Sequence, residues 1–280
     1  MMSKTWLITG VSSGFGLELT KQLLAAGNTV IGTVRNAAKI KDLIAQYPET
    51  FSYEKLDVTD VTAIHNVVSK VSKEHATIDV LVNNAGYGLF GAAEELSDEE
   101  VNKILSTDLL GSIQMIRSIL PKMREQKHGR IIQISSYGGQ VAFPGNSMYH
   151  ASKFGIEGFA ESVAQEVAPF NIGVTIVEPG GARTEFRYGS AQVAKAMPAY
   201  KGNPARSFEK MLALANGLAP GDPARMATRI IESVDQNPAP LRMMLGSAAV
   251  QNTIDVLTKR LDDYKKQKDL AASTDFPDGE

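Results

Sequence analysis

Short apolar runs recur along this chain, each followed by a longer amphipathic stretch, and that alternation restricts the fold more than any other feature. The runs are Trp6-Leu7-Ile8, Thr29-Val30-Ile31, Phe51 to Leu56, Val80-Leu81-Val82, Ile131 to Ile134, Val174 to Val177 and Leu241 to Leu245. Seven strands with helices between them read as an α/β fold, a doubly wound, mostly parallel seven-stranded sheet with helices on both faces. No internal repeat, low-complexity stretch or linker-like composition interrupts the pattern before the tail. Residues 1–280 therefore read as a single domain.

Composition narrows the partner. At 280 residues, with 43% apolar and 21% charged side chains, the chain can bury a sizeable core. Its formal charge of -2 is spread along the sequence, leaving no basic stripe for nucleic acid and no polybasic arm for a membrane. A small molecule is the expected partner. The absence of cysteine excludes disulfides, thiolate catalysis and thiolate-bound metal, and fits a reducing compartment. His65, His75, His128 and His150 form no ligand spacing, so no metal is expected. No apolar run near the start is long enough for a signal peptide or a membrane span, and the expected location is cytoplasmic.

The first run leads into Thr9-Gly10-Val11-Ser12-Ser13-Gly14-Phe15-Gly16 and then an amphipathic helix, Leu17 to Ala26, that stops at Gly27. Glycines at 10, 14 and 16 between strand and helix permit a tight turn and bring bare N–H groups to a pyrophosphate. A glycine cluster alone is also compatible with a tight turn and nothing more. After the second run, Val34 stands where a fold of this kind presents an acid to the ribose of NAD, and Arg35 follows. A guanidinium there suits a 2′-phosphate, which favours NADP (NADPH) over NAD; a surface arginine is the alternative. Asp57, ending the third run ahead of Val58, is placed for an adenine edge, while Asp60 suits a helix cap. The small residues of Asn83-Asn84-Ala85-Gly86 permit close backbone approach at the same sheet edge.

Ser97-Asp98-Glu99-Glu100 reads as a capping-box start for a long helix to about Gln126, kinked near Gly111. Further on, Ser136 follows the strand Arg130 to Ile134, and Tyr149 and Lys153 come thirteen and seventeen residues after it. On a helix, residues at i and i+4 share a face, so the Lys153 ammonium can sit near the Tyr149 phenol. Two charges roughly 4 Å apart at an effective dielectric near 20 interact by about 4 kcal/mol. That would draw a phenol pKa from about 10 towards about 7, the range of an acid and base at neutral pH. Ser136 supplies a second donor to the same oxygen, which suits a carbonyl under reduction. Tyr264 and Lys268 repeat the spacing within a charged run without a serine, and read as a solvated helix end. Gly155, Gly158, Ala160 and Ala164 on the helix from Met148 to about Val167 suit either a subunit interface or a close intrachain contact.

Taken together and in order, these motifs resemble the short-chain dehydrogenase/reductase family, in its form of about 250 residues with a Thr-Gly-x-x-x-Gly-x-Gly signature. The similarity runs from Lys4 to Thr184, with Leu241 to Leu245 completing a Rossmann-like sheet. It implies cofactor contacts at Gly10, Ser12, Ser13, Gly14, Phe15, Gly16, Arg35, Asp57, Val58, Asn84, Ala85, Gly86, Tyr149 and Lys153. In Pro179-Gly180-Gly181-Ala182-Arg183-Thr184 it places Pro179, Gly180, Ala182 and Thr184 at the nicotinamide carboxamide. It implies catalysis by Ser136, Tyr149 and Lys153, and assembly as a homodimer or homotetramer. One position departs: where the family carries an asparagine that supports a proton relay to the lysine, this chain has Asp108. The implied activity is NADPH-dependent reduction of an apolar ketone, or oxidation of the alcohol, with hydroxysteroid- or ketoacyl-like substrates included.

Residues 185–220 read as a substrate-binding lid carrying Phe186, Tyr188, Met197, Tyr200 and Phe208, with Tyr87, Phe90, Tyr137 and Phe143 opposite. Ordinary packing explains those aromatics equally well. A helix from Ala248 to about Gln267 and a polar tail, 269–280, open to disorder, close the chain. The competing function is an NADPH-binding regulator with weak or no catalysis, which Asp108 alone favours. A sugar epimerase or dehydratase of the extended family fits the glycine spacing poorly.

Overall fold

A computed structural model describes residues 3–213 and 219–276. Its strands are β1 (Thr5–Thr9), β2 (Thr29–Val34), β3 (Phe51–Lys55), β4 (Val80–Asn83), β5 (Leu89–Phe90), β6 (Gly129–Ile134), β7 (Ile172–Pro179), β8 (Gln192–Val193) and β9 (Arg242–Leu245). Seven of them form one parallel sheet in the order β3-β2-β1-β4-β6-β7-β9, and β5 and β8 form a separate parallel pair. The helices are α1 (Gly14–Ala25), α2 (Lys41–Gln46), α3 (Val61–Glu74), α4 (Asp98–Leu105), α5 (Gly111–Gln126), α6 (Ser147–Val167), α7 (Glu185–Tyr188), α8 (Phe208–Leu212), α9 (Pro223–Ser233), α10 (Ser247–Lys265) and α11 (Lys268–Ala272). The chain runs outward from β1 to β3, then returns to place β4 on the other side of β1. At such a reversal the loops leaving adjacent strands diverge, which opens a crevice at the carboxyl ends of β1 and β4.

The apolar runs work as strands because both sheet faces are buried. Along β1, Leu7 points into a cluster with Ile64, Val68, Ile116 and Ile119 from α3 and α5. Its neighbours Trp6 and Ile8 point the other way, against Leu19 and Leu23 of α1 and Ile230 of α9. Each such side chain, fully removed from water, contributes about 1.5–3 kcal/mol. Truncating Ile64 or Ile116 to alanine would cost about 2–5 kcal/mol.

The long helix expected from Ser97 is two helices, α4 and α5, joined by a π-helical turn at Ser106–Leu110. Ser97 caps it as read: its hydroxyl accepts from the Glu100 N–H, and the Glu100 carboxylate accepts from the Ser97 N–H. The irregularity ends at Gly111, whose missing side chain matters, since a Cβ there would lie 2.7 Å from the Val58 carbonyl oxygen. Such single-turn bulges redirect one side chain inward, and here that side chain is Asp108, 1% exposed.

Asp60 caps α3 by accepting from the Ala63 N–H. In α6, Ala160 and Ala164 are spent on intrachain packing and Gly155 faces Leu109, while Gly158 faces open space. Within the tail Lys268–Ala272 is helical; residues 277–280 lie outside the described residues. Among the described residues no helix is long and apolar enough to cross a membrane, and no cluster of His, Cys, Asp or Glu could hold a metal ion.

Candidate active site

The glycine turn after β1 is shaped by backbone angles and close approach. Gly10 (φ 74°) and Gly14 (φ 56°) occupy the left-handed region that disfavours other residues. Gly16 does not line the cleft, and a Cβ on it would stand 2.3 Å from the Gly10 carbonyl oxygen. Its smallness lets α1 press against the turn. No side chain caps the first N–H groups of α1, and no acid sits in its first turn. The turn is tied to β4 by Thr9 and Asn84. The Thr9 hydroxyl accepts from the N–H groups of Asn84 (2.9 Å) and Ala85 (3.0 Å). The Asn84 amide donates to the carbonyls of Thr9 and Gly10.

This turn borders a cleft of about 840 Å³ that also reaches the candidate catalytic residues. Gly10, Ser12, Ser13, Gly14 and Phe15 line one end. Arg35, Asp57, Val58, Asn84, Ala85 and Gly86 continue it along the strand ends. The Asp57 carboxylate accepts from the Thr59 N–H and hydroxyl. The Thr59 N–H above all holds its pKa below the usual 3.8, with the hydroxyl and Arg35 adding to the effect. Pro179, Gly180, Ala182 and Thr184 form the far rim. An uncapped helix N-terminus, glycines that remove side chains from the approach, and an exposed guanidinium at Arg35 are a donor set that fits a dinucleotide phosphate.

At the middle of the cleft, Ser136, Tyr149 and Lys153 converge. Ser136 leaves β6 in extended conformation, and its hydroxyl accepts from the Gly138 N–H at 3.0 Å. The same hydroxyl acts on the Tyr149 phenol, favouring its ionised form. Lys153 lies one helical turn past Tyr149, its Nζ 5.5 Å from the Tyr149 ring centre. The same Nζ donates to the Ile134 carbonyl at 3.4 Å and pairs with Asp108 Oδ2 at 3.5 Å. Asp108 is thus behind the cleft wall, touching Lys153 on one side and accepting the Tyr87 N–H (3.0 Å) on the other.

The electrostatics correct one expectation. Burial pushes the Tyr149 phenol above its usual 10, and the Lys153 charge and the Ser136 hydrogen bond only partly oppose that shift. Asp108 and Glu157 push the same way as burial. The estimate made from Tyr149 and Lys153 alone omitted both the desolvation and the carboxylate beside the cation. Burial pulls Lys153 down, but Asp108 and then Tyr149 outweigh it and leave it raised, hence protonated. Asp108 itself is pushed up by burial against the pull of Lys153 and the Tyr87 N–H. Burial, with Asp108 and Glu100, takes the Tyr87 phenol up to about 12.

His150, next to Tyr149, is a structural clamp. Its Nδ1 lies 2.7 Å from the Gly138 carbonyl, and its Nε2 accepts from the Phe143 N–H, which fixes the neutral Nδ1–H form. Burial lowers its pKa, in keeping with that form.

The opposite wall is aromatic. Tyr87, Phe90, Tyr137, Phe143, Phe186 and Phe208 line it, with Phe186 5.6 Å from the Tyr149 ring and Phe90 5.4 Å from Phe208. Met197 and Tyr200 were expected there and do not line the cleft: the Met197 N–H is bound by Glu95, and the Tyr200 hydroxyl donates to Glu94. The Tyr188 side chain and residues 214–218 lie outside the described residues. Glu95, which sequence reading passed over, is the hub of this wall. Its buried carboxylate accepts from the Ala92 N–H (2.8 Å), the Met197 N–H (2.9 Å) and Arg206 Nη1 (2.8 Å). No spacing announces it, since its partners are 102 and 111 residues away. The repeated pair is as expected, with Tyr264 65% exposed on α10.

The profile of the family described as short chain dehydrogenase matches residues 4–193. The chain is similar to an oxidoreductase, BOA17, of Botryotinia fuckeliana, 33% identical over 89% of this chain and 91% of the relative. Among solved structures it resembles a short-chain dehydrogenase of Streptomyces avermitilis, 39% identical, covering 98% of this chain and 100% of that one with a TM-score of 0.91. It also resembles ElxO with NADP bound, 25% identical over 87% of this chain and 98% of that one, TM-score 0.72. The chain belongs to the short-chain dehydrogenase family. Its sheet order and its strand-end cleft are therefore those of a Rossmann-like oxidoreductase that uses a nicotinamide cofactor and a small-molecule substrate.

Proposed function

We propose that this protein is an NADPH-dependent carbonyl reductase, or secondary alcohol dehydrogenase in reverse, acting on an apolar ketone or alcohol. The observation that carries the reading is the convergence of Ser136, Tyr149 and Lys153 in the cleft that also contains the glycine turn. A nicotinamide held in the cleft would supply the hydride for reduction, or accept it in the reverse oxidation. Tyr149 gives its proton to the substrate oxygen as that atom gains charge, and Ser136 holds the same oxygen from a second direction. Lys153, kept charged by Asp108, steadies the phenolate that remains and offers its ammonium to the cofactor ribose. Arg35 supports NADPH over NADH through its exposed guanidinium at the β2 end. The aromatic wall supports an apolar substrate that excludes water from the reacting atoms. Residues 185–220 act as the lid in this reading, on one domain of a cytoplasmic homodimer or homotetramer.

The test is NADPH oxidation over a panel of ketones, run beside Tyr149→Phe. The variant should lose on the order of 10²–10⁴ in kcat, the usual worth of a positioned acid, while still binding NADPH by fluorescence titration. Turnover that survives the loss of the phenol refutes the assignment. A regulator that binds NADPH without catalysis is the second reading, favoured by Asp108 at Lys153. It predicts tight NADPH binding with no turnover in the unaltered protein.

A further inference from the structure

Behind the turn that carries Ser136, on the side away from the cleft, lies a buried polar cluster that no step above uses. Helix α6 presents Tyr149, Lys153, Glu157 and Glu161 at a spacing of four, a row that winds gradually round the helix. The first two face the cleft. Glu157, 2% exposed, takes the other direction. Its Oε1 accepts from the Ser135 hydroxyl at 2.5 Å, and its Oε2 accepts from the Gln140 side-chain amide and from Arg242 Nη1, the latter at 2.7 Å. Arg242, on the edge strand β9, also binds Glu178 of β7 and reaches Glu161 at 2.6 Å.

The cluster therefore grips both ends of the turn 135–140. Gly139 shows how closely: a Cβ on it would fall 2.0 Å from Glu157 Oε1. Within the turn, Ser136 is linked to Gly138 and Gly138 to His150, so a movement of either end is carried to the Ser136 hydroxyl. From α10, Arg260 donates to the Gln140 carbonyl. A well-packed apolar residue would join α6 to the sheet without the desolvation of a carboxylate. The buried charge sits instead where it can orient two hydrogen-bonding side chains.

We propose that Glu157 is a positioning residue: held by Arg242, its carboxylate fixes the turn 135–140 through Ser135 and Gln140 and so sets the Ser136 hydroxyl against the Tyr149 phenol. This rests on the reading of Ser136 and Tyr149 as the pair that holds the substrate oxygen. One guanidinium here faces three carboxylates, Glu157, Glu161 and Glu178, with Lys153 a turn away. Burial, and then the charge of Glu157, lift Glu178 to about 7.

The experiment is a double-variant cycle in the full-length protein, Glu157→Gln against Ser136→Ala, read by steady-state kinetics and by amide hydrogen exchange of the turn. Glu157→Gln should lower kcat by roughly tenfold to a hundredfold, the scale of a misplaced reacting group. It should leave NADPH affinity within about twofold and speed exchange at Gly138 to Val141. In the Ser136→Ala background it should lower kcat no further. Equal losses in both backgrounds, or unchanged exchange, overturn the proposal. Gln140→Leu, which removes one link and leaves the ion pair, should show a smaller loss that also vanishes with Ser136→Ala, and it decides the matter if Glu157→Gln does not fold. If the unaltered protein reduces no ketone, the carbonyl reductase reading has failed, and the exchange arm alone decides whether Glu157 orders the turn.

Discussion

The two walls of the cleft are held by different means. On the cofactor side, the glycine turn, the Asn84–Gly86 segment and Pro179–Gly180 are ends of strands whose register the parallel sheet already sets. The links between them, such as Asn84 to the Thr9 and Gly10 carbonyls, join neighbouring strands of that sheet. On the substrate side, the contacts of the segment that follows Thr184 with the body of the protein include the two-residue pair β5–β8, ring contacts, and the carboxylates of Glu94 and Glu95. A wall fixed by a sheet shares its stability with the whole core, whereas a wall fixed by a few polar atoms can loosen on its own. Substrate affinity and cofactor affinity should therefore respond to different substitutions.

Glu95→Ala gives the sharpest separation. It frees the Met197 N–H and Arg206 together, and the ketone KM should rise at least about tenfold, the loss expected when a charged hydrogen-bonding hub goes. NADPH affinity, measured by fluorescence titration, should not move. Parallel weakening of both would show that the walls are one unit. The pH dependence follows from the sign of the shift. The Met197 N–H, with that of Ala92 and with Arg206, holds Glu95 below its usual 4.5. The clasp is complete above that value and lost only as pH falls through the lowered one. KM should stay flat through neutral pH and climb in acid.

The same contrast governs what could be read in advance. The strand runs, the glycine turn and the Ser136–Tyr149–Lys153 spacing are local patterns, and each has a chemical reason to sit at a strand end. All seven runs fall on strands of the main sheet. Glu95 reads in sequence as one of several acids between Glu94 and Glu100, and only the fold brings it to Met197 and Arg206. Glu157 looks like a polar position on a helix until β9 delivers Arg242. The π turn at Ser106–Leu110 leaves the helical pattern of Thr107-Asp108-Leu109-Leu110 unbroken, so the inward aim of Asp108 shows only in three dimensions. The Tyr149 phenol was misjudged for a related reason. A pair taken from the sequence has no burial and no third charge.

On the cofactor side the corresponding probe is Arg35→Ala. The guanidinium is exposed at the end of β2 and contributes mainly charge, so the effect should be about tenfold on the preference for NADPH over NADH, the scale of one charge-assisted hydrogen bond. The ketone KM measured at saturating cofactor should be unchanged. A loss of ketone affinity would connect the two walls, and an unchanged preference would assign the 2′-phosphate to other groups.

Asp108 is where the walls meet, since it holds the Tyr87 backbone on one side and Lys153 on the other, and its substitution should have the smallest effect. Asp108→Asn keeps an oxygen for the Tyr87 N–H and removes the negative charge. The direct push of Asp108 on Tyr149 then disappears. That change lowers the phenol pKa. Reduction requires the protonated phenol, so the alkaline limb of the kcat profile should move to lower pH, by about one unit, with NADPH affinity unaltered. An unmoved limb would mean that Asp108 is already protonated beside Lys153, in which case its influence on the site is steric and the substitution merely exchanges one neutral group for another.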